Sequence, residues 1–158
     1  MKNSRLVWAL MIILLISCEE GNKNYYSFSE NNWKNKDLIK FNVVIDDSTR
    51  GYSTNISLRH TTSYKYQNII MFVHHYFNNN KIEIDTVEIF IAESNGRWKG
   101  RGEGDIKEIT HRYNNRGFFQ KGTHSFELEL AMREKDLLQI NELDNISDIS
   151  IYLTRDNE

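Results

Sequence analysis

A chain of 158 residues with 20 basic and 22 acidic side chains, one cysteine and no proline is sized for a single domain. The slightly acidic balance excludes the basic face that a nucleic-acid binder needs, and a lone cysteine excludes any disulfide within the chain. Without proline, turns fall to Asn, Asp and Gly, which tolerate left-handed backbone.

The chain opens with Lys2 and Arg5, then eleven apolar residues from Leu6 to Ile16. As a helix that run spans about 16 Å, roughly half of a hydrocarbon core. A basic start, a short apolar segment and a small residue at its end describe a secretory leader rather than a membrane span. Leu15-Ile16-Ser17-Cys18 resembles a bacterial lipobox, which implies cleavage before Cys18 and acyl chains on its sulfur. Residues 1–17 are therefore expected to be a lipoprotein signal peptide. What remains has 18 basic against 22 acidic residues, a formal charge of −4. Glu19-Glu20-Gly21-Asn22-Lys23-Asn24 is polar throughout, so residues 18–32 read as an acylated cysteine and a flexible tether, with a folded domain over 33–158.

From Phe41 the apolar period is two. Phe41, Val43 and Ile45 alternate with polar neighbours, and Asp46-Asp47-Ser48 then turns the chain. Tyr52, Thr54, Ile56 and Leu58 share one face with Ser53, Asn55, Ser57 and Arg59 on the other, the pattern of a half-buried strand. Residues 68–77 (NIIMFVHHYF) are apolar on both faces, as a strand covered on both sides would be. Asn78-Asn79-Asn80 turns the chain into KIEIDTVEIFIA, where the apolar parity changes; a bulge near Asp85-Thr86 is expected to restore the buried face. Residues 93–105 hold four glycines and read as a long loop. Phe126, Leu128, Leu130 and Met132 alternate with Glu127 and Glu129, residues 134–140 suit a short helical turn, and Ile149, Ile151 and Leu153 mark a last strand. Short strands between turn signals predict an all-β fold, an antiparallel β-sandwich of Ig-like or jelly-roll-like form.

Chemistry-bearing patterns are sparse. His74 and His75 are adjacent, so in a strand they point to opposite faces and do not chelate one ion; no metal site, cofactor or catalytic group is expected. GRWKGRGEGD (96–105) lacks the Lys-Ser/Thr ending of a phosphate loop and precedes no helix, so its glycines read as turn-makers. Trp98, between Arg97 and Lys99, either caps the core or offers a flat face to a partner; with Arg101 these residues form the expected interaction surface. Trp33 is expected to close one end of the core. Asp47-Ser48-Thr49 and Asp85-Thr86-Val87 are similar to the O-glycosylation sequon of Bacteroidota-type secreted proteins.

In order along the chain, the lipobox with Cys18, Tyr25-Tyr26-x-Phe28, Trp33, Phe41, Tyr52 leading to Leu58-Arg59, Tyr64-x-Tyr66-x-Asn68, Asp85-Thr86, the Gly-x-Trp-x-Gly loop, Phe118, Gly122 and Met132-Arg133 resemble the GldH gliding-motility lipoproteins. The resemblance implies a non-enzymatic lipoprotein of the cell envelope that accompanies other gliding-machinery proteins. It would be anchored in the membrane through Cys18, in the outer membrane on either its periplasmic or its surface side. The alternative from a different class is a lipid-anchored carbohydrate-binding β-sandwich module.

Overall fold

The structure, a computed structural model, describes residues 24–117, 119–134 and 138–155, with the side chains of 114–116 left aside. The chain runs through Tyr26–Ser27 (β1), a 3-10 turn at Ser29–Asn31, Asn32–Lys34 (β2), Ile39–Ile45 (β3), Tyr52–Thr61 (β4) and Asn68–Phe77 (β5). Asn80–Phe90 (β6), Ile106–Gly117 (β7), Gly122–Leu130 (β8), Glu142–Asp144 (β9) and Ile146–Arg155 (β10) follow. One sheet has the order β1-β10-β4-β7 and the facing sheet β3-β8-β5-β6, while β2 and β9 form a ribbon at one end. Every pairing is antiparallel. Successive strands cross between the sheets except at the β5–β6 hairpin. Of the two expected arrangements, this is the jelly roll.

Alternation builds most of the core. Ile39, Phe41 and Ile45 of β3 are buried, as are Phe126, Leu128 and Leu130 of β8 and Ile149 and Ile151 of β10. Glu127 and Glu129 lie on the outer face, each with a partner: Lys40 Nζ stands 3.3 Å from Glu127, and His74 Nε2 stands 2.8 Å from Glu129. The Asn triple turns β5 into β6 with Asn78 and Asn79 at φ 47° and 66°. Two consecutive left-handed residues are what a tight hairpin requires.

Four expectations are corrected. Strand β4 is buried on both faces: Ser53, Asn55 and Ser57 are sunk among larger neighbours. Tyr25 Oη donates to Ser57 Oγ at 3.1 Å, and the Arg59 guanidinium lies 4.5 Å from the Tyr25 ring. Strand β5, by contrast, has no second layer over its outer face among the described residues. Ile70, Phe72, His74 and Tyr76 are half-buried there by side chains of flanking strands. In β6 the irregularity falls between His75 and Tyr76, opposite Ile82, and not at Asp85-Thr86. Pairing then runs unbroken from Glu83 to Phe90, so Glu83 and Asp85 share the inward parity of Val87 and Ile89, while Ile82 and Ile84 stay half exposed. An edge strand beside an open seam tolerates inward carboxylates, which also discourage further strand pairing.

The fourth correction concerns the tether. Tyr26 and Ser27 already pair with Ile149 and Asp148, and Phe28 is buried. Phe28 stacks on Trp33 at 5.1 Å between ring centres. The described part of the expected tether is thus laid on the domain from Tyr25 onward, because three aromatic rings in a polar stretch bury better than they solvate. Trp33 is fully buried and donates its Nε1–H to the Asp37 carbonyl at 3.1 Å. Of the expected helical turn at 134–140, residues 135–137 lie outside the described set. On its flanks, Lys65 Nζ meets Glu134 at 2.7 Å and the Ile140 N–H returns to the Met132 carbonyl at 3.0 Å.

Candidate functional site

Loop 93–105 leaves β6 and returns as β7, folding back along the strand ends. The Lys99 N–H donates to the Ile91 carbonyl at 2.9 Å, and Trp98 makes an isolated backbone bridge with Ala92. The Trp98 ring is half-buried against the core, 4.8 Å from the ring of the fully buried His60. Of its two sequence-level roles, capping is the one the geometry serves. His60 donates from Nδ1 to the Thr61 carbonyl at 2.9 Å, and burial holds its pKa below the usual histidine value.

The glycines of this loop answer to backbone contact. A Cβ at Gly102 would stand 2.3 Å from the Ile106 carbonyl oxygen, and one at Gly100 2.8 Å from that of Glu108. Their absence lets Arg101 exchange two backbone hydrogen bonds with Glu108, at 2.8 and 2.7 Å. Lys107 Nζ reaches the Gly102 and Gly104 carbonyls from the other side. These groups bind one another, so the loop is a flat flap on β7 and not an anion cradle.

What the flap presents outward is charge. Arg97, Lys99 and Arg101 are exposed, and among the described residues none of the three is in an ion pair. The Lys99 ammonium lies 5.9 Å from the ring centre of Phe90, itself half exposed. The arrangement is a rim of mixed charge, since Glu103 and Asp105 of the same loop are exposed as well, beside one accessible aromatic, with its tryptophan half-buried against the core.

His74 and His75 do lie on opposite faces: His74 meets Glu129 outside, while His75 Nε2 lies 2.9 Å from His124 Nδ1 inside. That second contact joins residues 49 apart in sequence through the β5–β8 pairing, and no spacing rule signals it. Among the described residues no three His, Cys, Asp or Glu side chains come together as a metal site, and no helix is long and apolar enough to cross a membrane. Cys18 lies outside the described residues.

The family model described as GldH lipoprotein matches residues 21–152. The chain belongs to the GldH lipoprotein family. A relative from Christiangramia forsetii, named gliding motility lipoprotein GldH homolog, is 31% identical over 156 residues, 96% of this chain and 95% of that one. The Flavobacterium johnsoniae protein named gliding motility lipoprotein GldH is 28% identical and is covered to 96% on both sides. Among solved structures, the insecticidal delta-endotoxin Cry8Ea1 of Bacillus thuringiensis aligns with 87% of this chain and 20% of its own, at 10% identity and a TM-score of 0.38. Membership in the GldH family makes this chain a lipoprotein by kind. It also makes the aromatic cluster at Tyr25–Phe28, which docks the chain start on the sheet, part of the matched region.

Proposed function

We propose that this GldH-family chain is a non-enzymatic accessory lipoprotein of gliding motility, held in the outer membrane by acyl chains on Cys18. Its jelly roll docks against other envelope proteins of the gliding machinery. The observation that carries the reading is the full-length match to relatives named for gliding motility. A leash of this kind raises the effective concentration of the domain beside membrane partners.

Geometry supports the Trp98 loop as the docking face. The described chain begins at Asn24, which lies beside Ile151–Leu153 near one end of β10. Trp98 packs on His60, whose partner Ile146 opens β10 at its other end. Five to seven strand residues separate the two, about 20 Å at ~3.4 Å each. Arg97, Lys99 and Arg101 therefore lie about that far from the first described residue. The carbohydrate-binding alternative asks for an aromatic face turned to solvent, and Trp98 spends its ring on His60 instead.

The test is a deletion strain scored for spreading colonies and complemented with wild type, Cys18→Ala and a triple Arg97→Glu, Lys99→Glu, Arg101→Glu variant. Wild type restores spreading and the other two do not. A folded triple variant and a folded Trp98→Ala that both spread normally rule the loop out, and spreading restored by Cys18→Ala rules out the anchor. Protease shaving of intact cells tells the surface side from the periplasmic one.

A further inference from the structure

At the end of the sandwich away from Trp98, a cavity of about 240 Å³ opens between the sheets where β6 and β7 form a seam. Its apolar walls are Phe77, Phe119 and Phe126, Thr54 lines it too, and His75 and Glu83 bring polar atoms to it. Phe119, Phe126, His75 and Thr54 are buried, whereas Glu83 stands at the mouth with its side chain 45% exposed. That grading, a dry floor with a wet carboxylate rim, is the build of a small-molecule site.

Hydrogen-bond roles around the cavity follow from one fixed point. The Gln120 carbonyl can only accept, so His124 Nε2, 2.8 Å away, carries the hydrogen. A neutral His124 then offers a lone pair at Nδ1, and His75 Nε2 at 2.9 Å must donate to it. A neutral His75 is left with a lone pair on Nδ1, and what faces it at 3.5 Å is Glu83 Oε1, a second acceptor. Across the cavity on the other sheet, Thr54 Oγ1 is buried with no hydrogen-bond partner, in a residue only 1% exposed. Thr54 Oγ1 is one of seven such atoms among the described residues and is closed off from solvent, so the deficit that bears on the cavity is the pair of acceptors that face each other without a donor. The one further carboxylate on this seam, Asp85, accepts from the Tyr113 hydroxyl at 2.6 Å. No lysine or arginine is among the described residues lining the space.

We propose that this cavity is a binding site for an organic ammonium group carried on a short apolar body. Such a ligand brings what the site lacks: several N–H donors on one atom for His75 Nδ1 and Glu83, and a positive charge for the carboxylate rim. The phenylalanine walls cover the apolar part, and ring faces attract cations as well. The size admits an aryl-alkyl amine and is below the range that holds a drug-sized molecule. Burial and the neighbouring His124 both push the His75 pKa down, more than Glu83 raises it, so His75 is left to accept near neutral pH.

Two sources of the same chemistry exist, a free amine and the ammonium of a phospholipid headgroup, and the experiment has an arm for each. The full mature chain is titrated with phenethylammonium and with its neutral isostere 2-phenylethanol, following amide shifts of Thr54, Gly117 and Phe119. It is separately exposed to vesicles containing phosphatidylethanolamine or only phosphatidylcholine. Saturable binding of the amine at least tenfold tighter than the alcohol, and at least tenfold weaker in Glu83→Gln, supports the site. Shifts of the same amides with phosphatidylethanolamine vesicles alone support it too, with the headgroup as the source. Glu83 lies at the rim, so Glu83→Gln keeps the fold, which an unchanged melting curve verifies; His75→Phe serves as a second variant with the same expected loss. Equal response to amine and alcohol, no saturable response to any probe, or binding indifferent to Glu83→Gln overturns the proposal and leaves a cavity that holds water only.

Discussion

Replacing Trp33 by Ala tests whether the β2–β9 end is sealed by a single ring. The side chain has no exposed surface, stacks on Phe28 at 25° between ring planes and hydrogen-bonds the Asp37 carbonyl. Removing a large aromatic from such a site costs about 3–5 kcal/mol through lost burial and the void left behind. Asp37 is half-buried, so water can replace the indole donor and little is added on that account. At this chain length each kcal/mol moves the melting temperature by about 2–4 °C, so the expected fall is on the order of 6–20 °C. Trp33→Phe keeps a ring against Phe28 and loses only the hydrogen bond and part of the volume, which places it at about 1–2 kcal/mol. Thermal unfolding followed by far-ultraviolet circular dichroism on the two variants is the assay. A fall below about 5 °C for Trp33→Ala, or equal falls for both, would refute the idea that this ring closes the core.

Gly102→Ala and Gly96→Ala separate steric from conformational demand: the first meets a backbone oxygen at 2.3 Å, the second has open space at φ +82°. Faster amide exchange at Arg101 and Glu108 is expected in Gly102→Ala, with a cost of about 1–3 kcal/mol, against about 1 kcal/mol for Gly96→Ala. Burial lowers the pKa of His60, His75 and His111 alike. Because the folded values lie below the ordinary 6.5, the unfolded chain takes up protons first as pH falls. Their contribution is whole above about pH 6.5 and is lost below it, so the melting temperature should drop between about pH 7.5 and 5.5. A melting temperature that rises on acidification contradicts this. Ile84→Thr should leave stability within about 0.5 kcal/mol in chemical denaturation, since that side chain is half exposed on an edge strand.

Where a strand has a dry face and a wet one, its residues declare it: β3 alternates residue for residue and β8 does so from Phe126 to Leu130, whereas β10 is buried on both parities from Ile146 to Ile151. The misreadings lie where a neighbour distant in sequence decides. Burial of Ser53, Asn55 and Ser57 depends on their place in a central strand of one sheet, with Tyr25, 32 residues earlier in the chain, against Ser57. The parity of β6 follows its place at an open seam, where carboxylates can face inward toward His75 and Tyr113. The Trp98 loop was legible as a loop because glycines mark it, whereas for its tryptophan two roles stayed open, since the contact with His60 joins distant parts of the chain. The His75–His124 contact was not, since it exists only once β5 and β8 are in register.

The short ladder of Tyr26 and Ser27 on β10 has a mechanical meaning. A pull applied at Asn24 along the axis of β10 would load the bonds of that ladder together rather than opening them one at a time. Behind them sits Phe28, wedged against Trp33. Tension would therefore be borne by rings in the interior, and a domain hauled across a surface by its leash would be gripped at its core, not at its skin.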